Sequence, residues 1–82
     1  MDKETFLDNK EKLVDLINEL LTQPNLAKHE ENSLIKLLQI LNQYSFENRL
    51  KMKGLLSHTI VDSLELDYLL GEKFIKFDAD IR

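Results

Sequence analysis

His58, Asp62 and Glu65 recur at i, i+4 and i+7, the spacing that stacks side chains on one face of a helix. An imidazole with carboxylates a turn away can bind a divalent cation or pass a proton. Two histidines in the whole chain are too few for most dedicated zinc sites. The expected role is therefore a solvated surface pair contributing about 0.3 kcal/mol. His29-Glu30-Glu31-Asn32-Ser33 begins like a zinc-protease helix. That chemistry needs a second histidine four residues after the first, and position 33 is serine. The absence of cysteine excludes thiolate zinc sites and thiol nucleophiles. Gly54 and Gly71, the two glycines, are too few for a phosphate-cradling loop or for the sharp turn of a nucleophile elbow.

Asp62-Ser63-Leu64, followed by Glu65, resembles the prosthetic-group attachment motif of acyl carrier proteins, which are also small, acidic and helical. Leu69, Phe77, Asp78 and Ile81 lie at offsets similar to that family's, and the resemblance ends there. It implies that Ser63 opens a helix and carries phosphopantetheine, with an acidic helix meeting partner enzymes. Three features depart from it. His58-Thr59-Ile60-Val61 stands where the family has a glycine, little chain follows Ser63, and the apolar pattern runs through Ser63 as through a helix interior. A carrier domain modified at Ser63 is thus an alternative reading.

Asp8, Glu11, Asp15 and Glu19 form a different pattern. At about 100° per residue they fall in one narrow arc, opposite the half-circle that holds Phe6, Leu7, Leu13, Val14, Leu16, Ile17, Leu20 and Leu21. Glu11–Asp15 and Asp15–Glu19 are like charges one turn apart, which mildly destabilises a helix, and only Lys12 is close enough in sequence to offset them. Such a stripe can instead steer a basic partner. The chain carries a net charge of −4, so it repels phosphate backbones, and no general nucleic-acid affinity is expected. The one basic cluster, Arg49, Lys51 and Lys53, reads as a solvated helix turn.

The elements that must position these residues are helices. Hydrophobic residues at 43% are enough for a folded core, and so few glycines and prolines imply long elements. The expected helices span about 3–22, 28–44 and 46–70 of a single domain, with an extended tail at 72–82. Gln23-Pro24-Asn25 ends the first helix. The second, apolar over most of its wheel, is expected to be central. Ser45 and Asn48 form a weakened capping pair for the third. Its pattern changes at Gly54, so a break there would make four helices of three. Phe46, Leu50, Leu56, Ile60, Val61, Leu64 and Tyr68 form its main stripe, and Gly71 is its stop. The tail is expected to fold back with Phe74 and Phe77 as anchors.

The fold expected is all-α, an antiparallel three-helix bundle or four helices if segment three breaks. No apolar run approaches membrane-spanning length. The charged start, Met1-Asp2-Lys3-Glu4, has no apolar signal region, and with the lack of cysteine it points to a cytoplasmic setting. No catalytic residues, metal, cofactor, membrane or nucleic-acid partner are expected. The leading function is a small acidic protein-interaction module, such as a bacterial immunity or antitoxin-type inhibitor or an adaptor. Asp8, Glu11, Asp15 and Glu19 would be its partner-binding residues and its partner a basic protein. A purely structural homo-oligomer, a homodimer at its simplest, is the other alternative.

Overall fold

A computed structural model describes residues 2–64 and 66–82. Among these the chain is all helical: α1 (Lys3–Leu21), α2 (Lys28–Gln43), the single turn α3 (Arg49–Met52), α4 (Leu55–Ser63) and α5 (Tyr68–Ala79). The four longer helices form a ring. α1 packs on α2, α2 on α4, α4 on α5, and α5 closes back on α1.

Each boundary has a local cause. Asp2 caps α1, its carboxylate accepting the Thr5 backbone N–H at 2.7 Å. At the other end, the Thr22 hydroxyl donates to the Glu19 carbonyl at 2.7 Å just before Pro24. The Ser45–Asn48 pair is reciprocal. The Ser45 N–H donates to Asn48 Oδ1 at 2.7 Å and the Asn48 N–H to Ser45 Oγ at 3.1 Å. Lys10 fastens α1 to the end of α2, its ammonium donating to the Tyr44 carbonyl at 2.6 Å. A cation there meets the negative end of the α2 dipole.

Segment three is not one helix. At Gly54 φ is +99°, a left-handed conformation that costs an L-residue about 1–2 kcal/mol, and the chain turns there. Leu64 is extended and Asp67, with ψ at 137°, is also outside helical geometry, so the chain breaks again between α4 and α5. The first break falls at Gly54, where the sequence pattern changes, and the stripe read over 46–70 is split. Leu56 and Ile60 reach the core, while Leu50, Val61 and Tyr68 are exposed.

The extended tail is also corrected: residues 68–79 form helix α5. Phe74, Phe77 and Ile81 are buried in helical register, and two of them are the anchors the sequence suggested. Gly71 is not a stop. It is buried within α5 against α4, where an added Cβ would lie 3.3 Å from Ile60 Cγ2. The residue that looked like punctuation allows close helix packing. With α5 as a fourth wall, α2 has its main contacts with α1 and α4, and Tyr44 at its end meets Phe77 and Asp78 of α5.

The core is a contiguous cluster drawn from α1, α2, α4 and α5. Phe6 lies 5.6 Å from Phe77 and 6.1 Å from Phe46, and Tyr44 lies 6.1 Å from Phe77, ring centre to ring centre. Such aromatic pairs contribute about 1 kcal/mol each beyond their buried area. Within this apolar cluster sits one carboxylate, Asp78, which is 1% exposed. It accepts from the Tyr44 hydroxyl at 2.8 Å, the Gly54 N–H at 2.9 Å, the Ser57 N–H at 3.1 Å and the Ser57 hydroxyl at 2.7 Å. The Tyr44 oxygen in turn accepts the Leu56 N–H at 3.0 Å. Residues Gly54, Leu56 and Ser57 form the first turn of α4, whose N–H groups have no partner within the helix. An acid brought by α5 and a phenol brought by α2 thus cap α4 across the core.

Burying an unpaired carboxylate costs several kcal/mol. Here that cost is offset by four donors and the positive end of a helix dipole. Truncation would leave those donors unsatisfied. Asp78→Ala is expected to destabilise the fold by about 3 kcal/mol and Asp78→Asn, whose NH₂ would face N–H donors, by about 2 kcal/mol. Urea unfolding followed by circular dichroism measures both, and a loss below about 1 kcal/mol for the alanine variant would contradict this role.

Candidate functional site

The acidic residues singled out in the sequence do stand together on one exposed surface. Asp8, Glu11, Asp15 and Glu19 are all solvent-exposed on α1, on the side away from the buried Phe6 and Ile17. Lys12 pairs with Asp8 at 3.1 Å, and among the described residues it makes the only ion pair along the stripe. Glu11, Asp15 and Glu19 carry their charge into solvent without such a neighbour.

The other sequence candidates do not converge. His29 lies exposed in the first turn of α2. His58 Nε2 is 3.0 Å from Asp62 Oδ2, a pair on the solvent side of α4. Glu65, the third member of that set, lies outside the described residues. Among the described residues no three His, Asp or Glu side chains gather as metal ligands would. Ser63 is exposed and is the last residue of α4, whereas the carrier-protein resemblance implied a serine that opens a helix.

Arg49 and Lys53 are more than a solvated turn. The Arg49 guanidinium lies 3.8 Å over the Phe46 ring and donates to the carbonyls of Phe46 at 2.6 Å and Arg82 at 2.7 Å. Lys53 donates to the Ile81 carbonyl at 2.8 Å. These two cations hold the last residues of the chain beyond α5, where carbonyls lack helical partners. Their side chains are committed to the fold, whereas Lys51 makes no such bond among the described residues.

Sequence reasoning missed the Asp78–Tyr44–Ser57 cluster. A signal for it existed. Phe74, Asp78 and Ile81 stand at i, i+4 and i+7, so a helical tail would have placed Asp78 on the buried face. Serine, carboxylate and phenol in contact resemble parts of a proton-transfer site. Here, however, Asp78 and Tyr44 are buried, and their hydrogen bonds go to the α4 backbone or stay within the cluster. It is a structural centre. Burial pushes the Tyr44 phenol well above its ordinary range, partly opposed by the Leu56 N–H and aided by the nearby Asp78 carboxylate. At the surface, the Thr5 backbone N–H holds the Asp2 carboxyl below the usual range.

No helix among the described residues is long and apolar enough to cross a membrane. Comparison with protein-family models, with curated proteins and with solved structures gives no significant match to this chain.

The Tyr44 shift has a definite sign. The folded protein keeps the phenol proton above pH 10, where the unfolded chain releases it. Folded molecules then bind more protons, so stability is full below pH 10 and falls as pH rises above it, by about 1.4 kcal/mol per pH unit at most. Chemical denaturation at pH 9, 10 and 11, compared with Tyr44→Phe, isolates this contribution from the lysines common to both proteins. The variant should be less stable at neutral pH yet lose less on going to pH 11. Equal losses in the two proteins would contradict it.

Proposed function

We propose that this chain is a small acidic protein-interaction module that binds a basic protein, in the manner of an immunity or antitoxin-type inhibitor or an adaptor, and that it acts by binding and not by catalysis. The observation that supports this is the α1 stripe. Glu11, Asp15 and Glu19 are exposed at one-turn and two-turn spacing with no cation paired to them among the described residues. Repulsion along a helix face lowers stability slightly. The same arrangement in a chain of net charge −4 raises the encounter rate with a cationic surface and weakens with salt.

The structure needs none of these side chains for its core, so they can be changed without unfolding it. The tagged protein is used to capture its partner from the native host, and association is then followed by surface plasmon resonance. Asp15→Lys combined with Glu19→Lys should lower the association rate about tenfold at low salt and flatten its salt dependence, with an unchanged circular dichroism spectrum. Failure to retain any partner, or unchanged kinetics in the double variant, would contradict the reading.

A further inference from the structure

Two shallow grooves meet at one end of the bundle. The first runs between α4 and α5, walled by Val61, Leu64, Tyr68 and Ile75 over Ile60 and Gly71. The second lies between the α1–α2 connection and the start of α5, lined by Leu20, Leu26, Leu34 and Leu70. Leu66 and Asp67 line both, so the two form one continuous surface. Val61 and Tyr68 are 73% and 78% exposed, although large apolar side chains gain about 1.5–3 kcal/mol each when buried. Contiguous exposed apolar surface of this kind marks an interaction site more often than a bare face.

The charges around the α4–α5 groove say what fits it. The charged side chains that line it are Asp67 and Glu72, both acidic. No lysine or arginine lines either groove, whereas Lys12, Lys73 and Lys76 line a separate depression between α1 and α5. We propose that the α4–α5 groove docks an amphipathic helix of a partner protein whose apolar face is framed by Lys or Arg. Apolar anchors at i, i+3 or i+4, and i+7 would fill the trough between Val61 and Tyr68, and the flanking cations would meet Asp67 and Glu72. A second copy of this chain, paired through the same patch about a two-fold axis, would bring a second acidic rim of Asp67 and Glu72 into the interface, so the acidic rim favours the basic partner. This inference rests on the interaction-module reading. It adds a contact surface on α4 and α5, while the acidic stripe lies on α1, diagonally across the ring from α4.

The probe is a fluorescein-labelled helical peptide with leucine on one face at i, i+3, i+4 and i+7 and lysine elsewhere, read by anisotropy and by amide chemical-shift mapping. Saturable binding is expected, with shifts centred on Val61, Tyr68 and Glu72. Val61→Arg and Glu72→Lys, both at exposed positions, should each weaken it about tenfold while leaving the fold unchanged. The same peptide with glutamate for lysine should not bind. Shifts confined to Asp8, Glu11, Asp15 and Glu19, with Val61→Arg binding normally, would overturn the groove while leaving the interaction-module reading intact. Absence of saturable binding would also overturn it, whereas the module reading stands or falls on capture of the native partner. Light scattering completes the set. A dimer abolished by Val61→Arg would assign the groove to a second copy and overturn the basic partner, and a monomer of 9.6 kDa is the expected result.

Discussion

The buried carboxylate of Asp78 is where three helices of this small domain are tied to one another. It sits on α5, takes the hydroxyl of Tyr44 at the end of α2, and closes the open N–H groups of the first turn of α4. A helix as short as α4, Leu55–Ser63, gains little from propensity alone, and its N-cap residue, Gly54, has no side chain to cap it. The cap comes from a residue far along the chain. Hydrophobic burial drives collapse of the four helices, but it is non-directional. The Asp78 network sets which turn of α5 faces which turn of α4, because any other register leaves a buried charge or several buried donors without partners. Arg49 and Lys53 complete the lock by holding the carbonyls of Arg82 and Ile81.

That network also explains which parts of the fold could be read from the sequence. α1 was legible because its causes are local: a half-circle of apolar residues, an aspartate at its start and a proline beyond its end. The reciprocal Ser45–Asn48 bonds were legible for the same reason. α5 was not. Phe74, Phe77 and Ile81 match helical spacing, but the short run Lys73-Phe74-Ile75-Lys76-Phe77-Asp78 also half-matches strand alternation, and Gly71 reads locally as a helix end although it serves a contact with Ile60. The second break, between Leu64 and Asp67, carries no glycine or proline. Beyond it, α5 brings Phe74, Phe77 and Asp78 into the core. With one helix broken twice and the tail made a helix, residues that shared a stripe on paper, such as Val61 and Tyr68, were turned to solvent.

The proposed binding surfaces follow from the same geometry. Sequence patterning located the acidic stripe because it needs nothing but one regular helix. It could not locate the α4–α5 groove, whose walls come from two helices meeting at a link that the pattern did not show. The polar side chains that would suggest chemistry are used by the fold: Ser57 and Asp78 in capping, Arg49 and Lys53 in fastening the C-terminal residues. Outside the core stand the acidic stripe on α1 and an apolar surface at one end of the bundle whose charged lining residues in the α4–α5 groove are acidic. Both are means of binding, which is why the proposed function is recognition of a basic partner.

The central claim is that α5 is an integral wall of the bundle, locked through Asp78, and not a tail laid over three helices. Native-state amide hydrogen exchange tests it most directly. The amides of Phe74 to Asp78 and of Ser57 should exchange only through global opening, with protection equal to that of Leu37 to Leu41 in α2. Exchange in α5 faster than in α2 by orders of magnitude, with the Ser57 amide unprotected, would contradict it.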